Sequence, residues 1–248
     1  MRRKALVEKL DALLKVKDIP DDSLNGLQVG GKEEVKKVAF AVDACMATIK
    51  KAAKEKCDML IVHHGLFWKT LKPMTGIMGR RVKALFDNGI SLYAAHLPLD
   101  MHPTLGNNAQ LKLFGLKKKK PFAQYHGFPI GFCGEILPLA LQDLVLKASN
   151  TLDSDVAVYD FGKEKVKTMG ISSGGSAFAL DEAMEKELDV LLIGEAGHSQ
   201  YHYLVESGMN ILVAGHYATE TRGLKALQKH IQQKMKLKTT WIDMPTGL

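Results

Sequence analysis

The sequence predicts an α/β fold of two intertwined strand–helix–strand–helix–strand repeats, forming layered sheets with helices outside. Three observations lead to it. Short apolar, β-branched runs alternate with stretches of helical composition, the pattern of parallel sheets. That alternation occurs twice with matching landmarks. Three of the strand-like runs end on histidine with an acid close by.

Taken in order, Leu6, Leu10, Leu13 and Leu14 fall at helical spacing after a basic start. They read as an amphipathic helix and not as a secretory leader. The first repeat opens with the strand Val38–Val42 and the helical stretch Met46–Lys56. A second strand, Cys57–Val62, stops before His63-His64-Gly65. Helical Gly79–Asn88 then leads to the strand Gly89–Ala94, followed by His96 and Asp100. An extra strand at Gly127–Ile136 and a helix at Leu139–Ser149 precede the second repeat. That repeat reads as strand Val166–Ile171, helix Phe178–Glu187, strand Leu188–Ile193, helix Tyr201–Ser207 and strand Gly208–Val213, ending at His216 and Glu220. Asp58 matches Asp189, Gly89 matches Gly208, and both third strands end in His-x-x-x-acid. The halves are expected as residues 1–120 and 121–248 of one continuous structural unit. Lys117-Lys118-Lys119-Lys120, before Pro121, is read as the link between them.

The 46% hydrophobic and 25% charged fractions are those of a soluble globular protein, and no apolar run is long enough to span a bilayer. A cytoplasmic protein with no membrane partner is expected. Cys45, Cys57 and Cys133 are odd in number and widely spaced, which argues against a disulfide framework or a zinc knuckle. The net charge of +7 is mostly lysine. It allows nucleic-acid binding, but lysines solvating helix faces are the preferred reading, since no aromatics or arginines interleave with the basic run.

Imidazoles and carboxylates at strand ends are donors for a divalent transition metal. Alternation forbids His63 and His64 from facing one cleft within a strand, so the pair is expected just past the strand end. His216 and Glu220 have the spacing of one helical face, and Pro98 makes His96–Asp100 an irregular turn at a helix start. Four histidines and two carboxylates exceed the four ligands of a structural zinc. They suit a pair of metals with a bridging carboxylate, at a site expected between the halves. Zinc, iron, manganese, nickel and cobalt all remain open. Glu195 and His198, at the equivalent strand end of the second repeat, are candidate general acid/base groups or ordinary turn residues. Ser172-Ser173-Gly174-Gly175-Ser176 is either an anion-holding loop or a tight strand-to-helix turn. Phe67 and Trp68 form a hydrophobic rim, a subunit contact or plain packing.

Asn25-Gly26-Leu27-Gln28-Val29, His63-His64-Gly65, Ala95-His96-Leu97-Pro98-Leu99-Asp100, Gly106-Asn107-Asn108, Gly194-Glu195 with His198, and Gly215-His216-Tyr217-Ala218-Thr219-Glu220 carry a resemblance over nearly the whole chain. The chain resembles the NGG-one-interacting-factor-three-like family, whose members are usually labelled GTP cyclohydrolase I type 2 homologs, in its short form without an inserted domain. The resemblance implies two divalent metal ions per subunit and a ring-shaped homohexamer. It implies His64 and Asp100 on one metal, His63 and His216 on the other, and Glu220 bridging both. His96 becomes an outer ligand or a supporting donor. The function expected is metal-dependent hydrolysis of a nucleotide or phosphoester. The alternative is a non-catalytic metal-binding ring acting as a metallochaperone or protein-interaction factor.

Overall fold

The computed structural model describes residues 1–70 and 72–247, with the backbone alone for residues 110–112. The chain divides into two units. The first takes α1 (Arg3–Leu14), β1 (Gly26–Val29), β2 (Lys37–Asp43), α2 (Met46–Lys54), β3 (Met59–His64), α3 (Gly76–Asp87), β4 (Ser91–Ala94) and the single turn α4 (Leu97–Asp100). The second takes α5 (Asn107–Gln110), β5 (Lys117–Tyr125), β6 (Phe128–Ala140), α6 (Leu141–Leu152), β7 (Ala157–Asp160), β8 (Lys165–Ile171), α7 (Leu180–Glu185), β9 (Val190–Ile193), α8 (Tyr201–Glu206), β10 (Asn210–Val213) and the start of α9 (His216–His230). The last strand, β11 (Lys238–Trp241), belongs to the first unit.

In the first unit the sheet order is β1-β4-β3-β2-β11. β4, β3, β2 and β11 are parallel, and β1 runs antiparallel on β4. Their apolar faces close on Ala39, Leu60, Val62, Leu92 and Ile242, with Ile49 of α2 and Leu85 of α3. Leu6, Leu10 and Leu14 are the buried stripe of α1. In the second unit the order is β5-β6-β8-β9-β10-β7. There β8, β9 and β10 are parallel and β7 lies antiparallel on β10. Val166, Met169, Val190, Leu192 and Leu212 pack with Leu144 and Ala148 of α6. Strands buried on both faces explain why these runs read as continuous and not alternating.

The duplication holds at the level of hydrogen bonds. Asp58 Oδ2 accepts from the backbone N–H groups of Lys36 and Lys37 at 2.8 and 3.1 Å. Asp189 Oδ2 accepts from Lys167 and Thr168 at 3.0 and 3.1 Å. Each carboxylate ties the start of its repeat's first strand to the second. Gly89 and Gly208 take φ of +63° and +64°, the left-handed turn that ends a helix before the third strand.

The units do not divide at Lys120. The division falls after Leu105, and Gly223–Met244 return to the first unit. The lysine run is not a linker either, because it forms most of the exposed half of β5, an edge strand paired to β6. Edge strands tolerate lysine on their open side, where charge discourages pairing with other chains. Lys118 salt-bridges Glu135 at 2.8 Å, and Lys119 stands 5.0 Å over the Phe132 ring. A register shift between Lys117 and Lys120 marks a bulge there.

Candidate metal centre

Three imidazoles meet at the ends of β3 and β4. β3 runs through both histidines instead of stopping before them, because Asp43 of β2 pairs with His64. His64 is the strand's last residue, and its ring still lies 4.9 Å from that of His63, centroid to centroid. His96, two residues past β4, stands 5.0 Å from His63 and 5.7 Å from His64. One ring nitrogen of each lies within 4.8 Å of the other two. His96 is therefore a full member of the triad.

Each imidazole is held from behind. His63 Nδ1 lies 2.8 Å from the Ala95 carbonyl oxygen. His64 Nδ1 lies 2.8 Å from Asp43 Oδ1, and His96 Nδ1 lies 3.0 Å from both oxygens of Asp21. An Nδ1–H donated to such acceptors leaves the ring's lone pair on Nε2 and fixes its orientation. Buried Asp100, at the end of α4, brings Oδ2 to 3.4 Å from His63 Nε2.

Asp21 is the anchor of this arrangement. It also accepts from Ser23 N (3.0 Å), Asn25 Nδ2 (2.8 Å) and Leu97 N (3.0 Å). Burial acts to raise its carboxyl, but the hydrogen bond and charge of His96, with Asn25 and Ser23, outweigh that and bring it down to about 2. Neither Asp21 nor Asp43 was legible as a site residue. Asp43 did carry a signal, an acid closing an apolar strand, whereas Asp21 lies in a polar loop far from any histidine in sequence.

The second unit carries its own histidine and acid. His216 opens α9 and Glu220 follows one turn later, with Nε2 and Oε1 3.0 Å apart. His216 Nδ1 lies 2.6 Å from Glu195 Oε2, just past β9. Burial favours neutral His216, but Glu220 first and then Glu195 outweigh it and raise its pKa to about 9. Glu195 thus stands where an orienting carboxylate stands, as Asp21 does for His96. His198, the other candidate acid/base group, is exposed in the single turn His198–Gln200 and makes no side-chain hydrogen bond among the described residues.

Gly174 shapes the space beside Glu220. It adopts φ +64°, and a Cβ there would collide with Glu220 Oε1. The rest of its loop is a tight turn. Four of its five amides are engaged within the unit: Ser172 N to Leu192 O (3.0 Å), Ser173 N to Asn108 Oδ1 (2.9 Å), Gly174 N to Thr219 Oγ1 (3.1 Å) and Ser176 N to Gly174 O (2.9 Å).

Imidazoles held through Nδ1, with Nε2 left to face a ligand, and carboxylates beside them are the donor chemistry of borderline divalent cations, so the residues fit a metal.

Comparison with known proteins agrees with this fold. The family model for Duf34/NIF3 (NGG1p interacting factor 3) matches residues 1–246. A Pyrococcus horikoshii protein named GTP cyclohydrolase 1 type 2 homolog is 47% identical, and one of the same name from Pyrococcus abyssi is 45% identical, each with full coverage of both chains. Among solved structures, TTHA1606 from Thermus thermophilus superposes with a TM-score of 0.91 at 41% identity over the whole of both chains. Protein ybgI, described as of unknown function, gives 0.93 at 34% identity with the same coverage. With a family match along almost its whole length and relatives alike from end to end, the chain belongs to the Duf34/NIF3 (NGG1p interacting factor 3) family.

Proposed function

We propose that the chain is a metal-dependent hydrolase that acts on a nucleotide or phosphoester with two bound divalent ions. The observation that carries this reading is the anchoring of His63, His64, His96 and His216, each through Nδ1, on a carbonyl or carboxylate of its own unit. Such support is what ligating histidines receive, and four instances at strand ends exceed what packing requires. In this reading His63, His64, Asp100, His216 and Glu220 would hold the two ions. His96 would complete their donor set. When bound, the ions make water more acidic and offset charge on a leaving oxygen.

The protein's own groups do the rest. Asp21 and Asp43 hold His96 and His64 in place. Glu195 holds His216 and, together with Glu220, raises the pKa of that imidazole to about 9. The relatives' name makes GTP the first substrate to try, and the resemblance makes a homohexamer the assembly to look for.

The test is elemental analysis of purified protein, followed by turnover of GTP and a panel of nucleotides and phosphoesters by the metal-loaded form. Bound metal with turnover that Glu220→Ala abolishes supports the reading. Equal rates in both forms overturn it, and bound metal without turnover of any panel member favours a metal carrier.

A further inference from the structure

A cavity of about 530 Å³ opens beside the histidine triad in the first unit. Its wall includes Leu24, Leu66, Phe67, Trp68, Met74 and Met78. Trp68 belongs to both places, because its ring also packs edge-on to His96 at 5.2 Å and lies 6.4 Å from His64. The size is that of a small-molecule site, and aromatic and methionine side chains favour flat, polarisable ligands.

The wall is built in advance. Leu24 N donates to Phe67 O at 3.0 Å and Lys69 N to Asp22 O at 2.7 Å, so residues 22–24 and 67–69 form a short antiparallel ribbon. The Gln28 side chain locks it further. Its Oε1 accepts from Leu66 N (2.7 Å) and Phe67 N (3.2 Å), and its Nε2 donates to Leu24 O (2.8 Å) and Phe67 O (3.0 Å). The rim is polar: Lys69 is held by Asp22 at 2.9 Å, while Lys72 makes no ion pair among the described residues.

We propose that this cavity is a recognition subsite that takes a flat aromatic ring carrying an anionic group, the ring against Trp68 and Leu24 and the anion at Lys72. Its assignment as the substrate's subsite rests on the hydrolase reading above; the binding itself does not. Lys72 supplies the only unpaired charge among the described lining residues, and it fixes the sign of the ligand.

The experiment is calorimetric titration of the chelator-treated protein with naphthalene-1-sulfonate, which cannot be hydrolysed. Controls are methanesulfonate, which lacks the ring, and 2-naphthol, which lacks the permanent charge. Saturable one-site binding of naphthalene-1-sulfonate is expected, with methanesulfonate at least tenfold weaker. Leu24→Glu, at a side chain already 47% exposed and so tolerant of charge, should weaken it tenfold or more. Lys72→Gln should weaken the sulfonate several-fold and leave 2-naphthol unchanged. No binding, or equal binding by both variants and the parent, overturns the proposal. Because neither metal nor turnover is involved, that failure leaves the hydrolase reading standing. A protein that binds the probe yet turns over nothing overturns that reading alone.

Discussion

Both carboxylate oxygens of Asp21 stand 3.0 Å from His96 Nδ1, across 75 residues of sequence. The loop at Asp21 therefore aims a ring that the third strand carries. Replacing this anchor keeps the shape but weakens the aim. Asp21→Asn should lower metal affinity by about 10–100-fold, read by competition with a chromophoric chelator. An affinity within twofold of the parent would show that His96 needs no anchor.

Metal loading should stabilise the fold, because the donors are preassembled only in the native state. At a free zinc concentration 100 times Kd the gain is about 2.7 kcal/mol, seen as a rise of several degrees in Tm that a chelator reverses. His63→Ala and His64→Ala should each diminish the rise. A Tm indifferent to zinc, manganese, cobalt, nickel and iron alike would count against a metal centre.

Gly174→Ala should reduce both stability and metal binding. A left-handed backbone costs a non-glycine residue about 1–2 kcal/mol, and the added Cβ meets Glu220 Oε1. Gly127→Ala is the matched control, with φ +82° and open space around its Cβ position. It should lose a similar stability in denaturant titration and keep full metal affinity. Equal metal affinity in the two variants would remove the argument that Gly174 makes room for Glu220.

Acid should release Asp189. Burial acts to raise its carboxyl, but Lys163 at 2.6 Å and the N–H groups of Lys167 and Thr168 together lower it below the ordinary value of 3.8. A group with a depressed folded pKa stabilises above its unfolded value and stops doing so as pH falls through the folded one. The stability gap between parent and Asp189→Asn should be constant above about pH 5, from one unit over the ordinary value upward. It should shrink below the ordinary value of 3.8. A gap that widens on acidification would reverse the assigned sign.

The repeated core was legible because apolar strands, glycine turns and strand-opening aspartates recur at matching places. Asp58 and Asp189, or Gly89 and Gly208, are local signals. The strands that the sequence pattern does not mark are held by partners far away or are polar on one side. β11 is a four-residue run, Lys-Thr-Thr-Trp, made a strand by β2, some 200 residues earlier in the chain. β5 hides behind lysines that only its edge position explains. The histidines announced themselves, but their anchors did not, since Asp21 and the Ala95 carbonyl are placed by tertiary structure. Alternation along a strand also misled for His63 and His64, because it governs where Cβ atoms point and not where a terminal imidazole can reach.

The pairing of β11 on β2 bears on how the protein is made. The first unit begins at the amino terminus, yet its sheet lacks an edge until Lys238–Trp241 has left the ribosome. The second unit's strands, from Lys117 to Val213, are all synthesised before that. Synthesis therefore supplies the whole sheet of the unit encoded later before the first sheet can close, while Val38 and Phe40 wait beside an open edge for β11.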